Sequence, residues 1–148
     1  MKTLLLVTLL CAPALAQSPT QAIKDKDGAA CAASFDDAIK VNVRPECRRE
    51  LAPIVAAIRY AENGRAGREY GILHPRVGPT YRSQAGWCAA TVQKNYDRWV
   101  KAGSKGEFVT FLGNRYCPLD DPRDKDGLNR HWIGNVRKFK NRFAFPTK

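Results

Sequence analysis

Apolar residues recur at intervals of three and four over most of the chain, the spacing that gathers side chains on one face of a helix. From about Arg49, the segment ELAPIVAAIRYAEN puts Leu51, Val55, Ile58 and Glu62 on one stripe, with Ile54 alongside. Pro53 fits such a helix only within its first turn. Asn63-Gly64 supplies the left-handed residue that a helix stop prefers. A second helix is predicted from about Arg82 to Ala102, with Cys88, Val92, Tyr96, Trp99 and Val100 inward and Gly103 as the stop. Ser104-Lys105-Gly106-Glu107 reads as a capping box that opens a third helix, through Phe108, Val109, Phe111 and Leu112 to about Tyr116. A last helix from about Asn129 carries Trp132, Ile133, Val136, Phe139 and Phe143 on one side and most of its basic residues on the other. Residues 29–40 hold a shorter candidate with Ser34 as its N-cap.

Polar, glycine-rich and proline-rich stretches separate these elements. Residues 17–30 read as a flexible lead-in, marked by Pro19 and Asp25-Lys26-Asp27-Gly28. Lys40 to Pro45 is extended or a turn, because Arg44 precedes a proline. RAGREYGILHPRVGPTYR is a loop with a short extended piece at Tyr70 to Leu73, and LDDPRDKDG is an acidic turn. Short links and little strand signal predict one mainly α domain (α-dominated α+β) over residues 31–148.

The opening MKTLLLVTLLCAPALAQS changes the compartment. One Lys, an apolar run and Ala14-Leu15-Ala16 form a signal-peptide pattern over residues 1–16, with cleavage near Ala16, and the run is too short to span a bilayer. A secreted or periplasmic protein without a membrane span is expected. Its remaining cysteines, Cys31, Cys47, Cys88 and Cys117, form an even set, which in an oxidising compartment reads as two disulfides. Three pairings are possible. Cys31 with Cys47 and Cys88 with Cys117 are favoured, because both close between neighbouring elements. A structural zinc site would want CxxC or Cys/His spacing, which is missing. His74 and His131 stand alone, no phosphate-binding glycine loop or Ser/His/Asp order is evident, and no metal or cofactor is expected.

Charge narrows the partners. The chain carries 25 Lys and Arg against 14 Asp and Glu, a formal charge of +11. From Leu128 onward Arg130, Arg137, Lys138, Lys140, Arg142 and Lys148 face no acid. An anionic partner is implied. For an exported protein that partner is a cell-wall polymer such as peptidoglycan in preference to nucleic acid, met by a monomer.

Glu62 carries the candidate chemistry. A carboxyl held against apolar side chains resists ionisation, so its pKa rises toward the range in which it donates a proton at neutral pH. Two bland readings compete. A helical Glu is ordinarily solvated, and Arg59, Arg65 or Arg68 could pair with this one and lower its pKa instead.

The run Ala61-Glu62-Asn63-Gly64, then Arg68-Glu69-Tyr70-Gly71-Ile72-Leu73, resembles the active-site signature of the lysozyme-like superfamily, especially soluble lytic transglycosylases and goose-type lysozymes. Those proteins carry a catalytic Glu at a helix end, followed after a short loop by Gly-Leu-Met-Gln. Gly71-Ile72-Leu73 matches the first part, and His74 stands in place of the glutamine. Thr91-Val92-Gln93-Lys94-Asn95-Tyr96 is similar to the family's next long helix. Phe111 to Tyr116 lies where the family has Ala-Tyr-Asn, with Phe111, Asn114 or Tyr116 in the tyrosine's place. Asn129-Arg130-His131-Trp132-Ile133 is similar to its terminal Thr-Arg-Asn-Tyr-Val. The resemblance covers roughly Ala52 to Phe143.

What it implies is a lysozyme-like helical domain that cleaves peptidoglycan glycan strands as a lytic transglycosylase or lysozyme, with Glu62 as general acid and base. Glu69 is the nearby candidate for a second acid, with Asp120, Asp121, Asp124 and Asp126 available if their turn folds back over the cleft. Asp124 and Asp126 also read as ordinary turn formers. Tyr70, Gly71, Ile72, Tyr81, Asn114, Tyr116 and Trp132 are the candidate substrate contacts, and Trp132 also suits the core. The alternative is a catalytically inactive cationic cell-wall-binding protein on the same fold.

Overall fold

A computed structural model describes residues 16–143. The predicted signal peptide therefore lies outside the described residues, apart from Ala16, as do Cys11 and Lys148. Six α-helices follow in chain order: α1 Pro19–Asp27, α2 Ala29–Asn42, α3 Arg48–Glu62, α4 Tyr81–Lys101, α5 Phe108–Tyr116 and α6 Asn129–Arg142. A short 3-10 turn, Pro45–Cys47, leads into α3. The structure is mainly helical, and the described residues contain no strand where a minor β component was expected.

The centre is α3. Leu51, Ala52 and every residue from Ile54 to Ile58 are buried, which is apolar burial on all sides and the mark of a helix inside a core. It packs chiefly on α6, with α4 and α1 on other sides. Pro53 lies deeper in α3 than its first turn. It forfeits a backbone bond there, and the burial of its ring offsets part of that loss. Asn63 closes the helix in the left-handed region (φ 45°), so Glu62 is the last helical residue. Gly64 follows because a Cβ there would lie 1.8 Å from the Arg68 carbonyl oxygen.

The expected flexible lead-in is a helix. Ser18 caps α1 by accepting from the Gln21 N–H (3.2 Å), and Ala22 and Ile23 are fully buried. At its end, Asp27 takes two hydrogen bonds from Arg59 of α3 (2.7 and 2.8 Å). Gly28 (φ 92°) then breaks the chain direction, and α2 starts at once. Ser34 consequently lies inside α2, its hydroxyl donating to the Ala30 carbonyl (3.1 Å), and is not a cap.

Two other local expectations change. The Ser104 to Glu107 capping box does not form: Ser104 sits at φ 53°, and the Glu107 carboxylate instead accepts from Arg137 of α6 and from Thr110. Val100 is half exposed and not inward.

The expected disulfides are not seen among the described residues, where Cys31, Cys47, Cys88 and Cys117 are free. Cys31 lies in the first turn of α2, whereas Cys47 follows its far end, where Arg48 binds the Lys40 and Val43 carbonyls. That length of helix amounts to roughly 15 Å, well beyond the 4.4–6.8 Å Cα separation of a disulfide. Cys88 is fully buried against the Tyr116 hydroxyl (3.6 Å), and the Cys117 thiol donates to Asn129 Oδ1 (2.8 Å).

Candidate active site

A cleft of about 1000 Å³ opens at the C-terminal end of α3. Five structural pieces wall it: the end of α3, the Gly71–Pro75 loop, Thr91 of α4, the α5 end with the acidic turn, and the first turns of α6. Glu62 lines it, half-buried. The Trp132 indole Nε1–H donates to Glu62 Oε1 at 2.7 Å, joining residues 70 apart in sequence. Oε2 has no hydrogen-bond partner among the described residues and lies against Gly71, where a Cβ would come within 2.2 Å of it. Gly71 also has φ 67°, so both backbone and space exclude any larger residue.

Burial pushes the Glu62 carboxyl above its ordinary pKa, and the Trp132 hydrogen bond pulls more weakly the other way. The competing ion pair is not formed. Arg59 is committed to Asp27, Arg65 and Arg68 are exposed, and no salt bridge reaches Glu62 among the described residues.

Around Glu62 the structure brings together Gly71, Ile72, Tyr116 and Trp132 of the expected contacts. Trp132 is 5% exposed and packs in the core, as its place on the apolar face suggested, and its N–H reaches into the cleft. Its ring stacks on Tyr116 at 5.2 Å. Burial raises the pKa of the Tyr116 hydroxyl well above its ordinary value, so it stays protonated and donates to the Tyr70 carbonyl (2.7 Å).

Four expected site residues are elsewhere. Tyr70 is fully buried, its hydroxyl 2.9 Å from that of Tyr81, which donates on to Asp27 (3.2 Å). These two phenols belong to the buried Asp27–Arg59 network, not to the cleft. Asn114 is exposed on α5 and does not line the cleft. Glu69 is 7% exposed and turned into the protein, with Oε1 accepting from the Gly67 N–H (2.9 Å) and Oε2 buried without a partner. It is not a second acid of this cleft.

The acidic turn does fold back over the cleft, bringing Asp121 and Asp124 to its wall. Both are engaged. Asp121 takes the Arg123 guanidinium (2.8 Å), and those bonds hold its carboxyl down at about 2. Asp124 accepts from the Leu128 and Asn129 N–H groups (2.8 and 2.9 Å), serving the orphan donors at the start of α6. Glu62 is therefore the one cleft carboxylate with an oxygen free of such partners among the described residues.

Sequence reasoning missed Thr91, Arg115, Asn129 and Asn135, which add polar and cationic groups to the wall. Asn129 opens α6 and Asn135 lies six residues on, about one and two-thirds turns away, a spacing that gave no apolar signal. Burial first, then the nearby Glu62, pushes the Cys117 thiol up to about 12, so this cleft residue is a neutral donor and not a nucleophile at neutral pH. No three His, Cys, Asp or Glu side chains converge as a metal site requires among the described residues. No described helix is long and apolar enough to cross a membrane.

Comparison with protein-family models, curated proteins and solved structures found no match to the chain.

Proposed function

We propose that this protein cleaves the glycan strands of peptidoglycan, with Glu62 as general acid and then general base. One observation carries the reading: a carboxyl whose pKa is raised by burial, oriented by an indole N–H through one oxygen and bare at the other, in a sugar-sized cleft. In the proposed reaction Oε2–H gives its proton to the glycosidic oxygen between N-acetylmuramic acid and N-acetylglucosamine. The C1–O bond breaks as an oxocarbenium-like state develops, and the carboxylate is left behind. Trp132 donates throughout, first to the carbonyl oxygen of the neutral acid and then to the carboxylate, which it stabilises more strongly.

The second half follows from what is missing in reach. A hydrolase of the usual kind needs a second carboxylate as nucleophile or base. Asp121 and Asp124 are tied to Arg123 and to the α6 N-terminus, and Glu69 points away. The single-carboxylate route therefore fits better: Glu62 takes the proton from the sugar's own C6 hydroxyl as that oxygen bonds to C1, giving a 1,6-anhydro product. The route is that of a lytic transglycosylase in a lysozyme-like setting, acting outside the cytoplasm on the wall that its basic surface would hold.

Zymography of purified wild-type protein in peptidoglycan gels is expected to give a clearing zone, lost in Glu62→Gln and kept in Glu69→Gln. Mass spectrometry of the digest is expected to find anhydro ends. Reducing ends would replace the transglycosylase by a hydrolase. A wild-type protein that sediments with the wall without clearing it would instead support the inactive binder.

A further inference from the structure

We propose that Gln84 is a positioning residue for the Glu62 site, clamping the loop from inside α4 on both sides of Gly71 and so holding the wall that packs against the Glu62 carboxyl. The inference rests on the reading of Glu62 as proton donor, but its geometric claim can be measured separately.

Gln84 is 1% exposed, on the buried face of α4 one turn before Cys88. A buried amide is costly unless its polar atoms are bonded, and here they are spent on the loop. Oε1 accepts from the Tyr70 N–H (3.4 Å) and the Ile72 N–H (3.3 Å), and Nε2 donates to the Ile72 carbonyl (3.0 Å). The Tyr70 carbonyl is taken by Tyr116 (2.7 Å), and the Gly71 N–H by the Arg68 carbonyl (3.1 Å). Residues 70 and 72 thus have every backbone polar group fixed, without a strand partner. The two N–H contacts that Gln84 Oε1 accepts are long, so the amide sets the place of this segment without locking it as a ladder would.

Gly71 lies between the clamped residues, with its Cα against Glu62 Oε2. Releasing the clamp lets the segment lift, admits water to Oε2 and eases its ionisation. Only a side chain with both an acceptor and a donor at its tip makes all three bonds. A residue that merely filled the core would need neither.

The test uses Gln84→Met, which keeps length and apolar packing but no such bonds, and Gln84→Glu. In folded Gln84→Met, kcat is expected to fall about 10- to 100-fold, as small displacements of a reacting group do. The basic limb of kcat/KM is expected to shift to lower pH, which loss of stability alone would not produce. Gln84→Glu supplies both lone-pair bonds at any pH but regains the donor to Ile72 only when its carboxyl is protonated. Its activity relative to wild type should therefore rise as pH falls. Wild-type activity and pH profile in folded Gln84→Met would overturn the proposal. Should that variant fail to fold, a pH-independent ratio for Gln84→Glu would do so. If the wild-type protein cleaves no glycan, NMR titration of the Glu62 carboxyl still decides: a lower midpoint in Gln84→Met supports the clamp, and an unchanged one refutes it.

Discussion

Replacing Trp132 by Phe isolates the indole N–H, because Phe keeps an aromatic ring in the Tyr116 stack while removing the 2.7 Å bond to Glu62 Oε1. A hydrogen bond to a charged acceptor is worth about 1.5–3 kcal/mol and a neutral one about 0.5–1.5. The indole thus favours the carboxylate over the acid by about 1 kcal/mol, which at 1.36 kcal/mol per unit is a little under one pH unit. This hydrogen bond lowers the Glu62 pKa against the larger effect of burial, so its loss raises that pKa further. A general acid must be protonated in the free enzyme, so the basic limb of kcat/KM should move to higher pH by that amount. Below the limb, the unanchored carboxyl should react about tenfold more slowly. Turbidity loss of purified peptidoglycan, followed from pH 4 to 9, reads both effects. A limb that stays in place or moves to lower pH would refute the assigned role of Trp132.

Gly71→Ala should abolish clearing and lower stability in urea melts by at least about 1–2 kcal/mol, the cost of the left-handed backbone alone, since its Cβ would also displace Oε2. Glu62→Gln should be inactive yet more thermostable than wild type at pH 8 and equal to it at pH 4. The raised folded-state pKa means that wild-type stability is whole below the unfolded Glu value and is lost as pH rises through the folded one, a loss that the amide escapes. Asp27→Ala leaves the Arg59 guanidinium buried and unpaired, from a pair whose side chains are 8% and 11% exposed, and should cost about 3 kcal/mol in a urea melt.

Helices α3 to α6 were legible because each carries a long apolar stripe that ends at Asn63, Gly103, Cys117 or the chain's basic tail. Helix α1 was not: two apolar residues, Ala22 and Ile23, are too few for a periodicity, and what holds it is their burial against the rest of the chain together with a distant pair between Asp27 and Arg59. Glu62 stood out because a carboxylate closed an apolar stripe. Its partner Trp132 and its wall Gly71 were both named as substrate contacts, yet that they meet Glu62 itself is a product of α6 packing on α3. Tyr70 and Tyr81 misled because residues in a glycine-rich loop or at its end read as exposed, whereas this loop folds its phenols inward. Gln84 gave no signal, since a polar residue near a helix start ordinarily faces water.

Ionisation of Glu62 decides whether this side chain can act as the proton donor, and NMR titration of carboxyl-labelled glutamate in the folded protein measures it directly, with Glu62→Gln identifying the resonance. The midpoint for Glu62 should lie above that of an ordinary glutamate. A midpoint at or below the ordinary value would mean that the carboxyl is already ionised where the chemistry needs its proton, and would contradict the account.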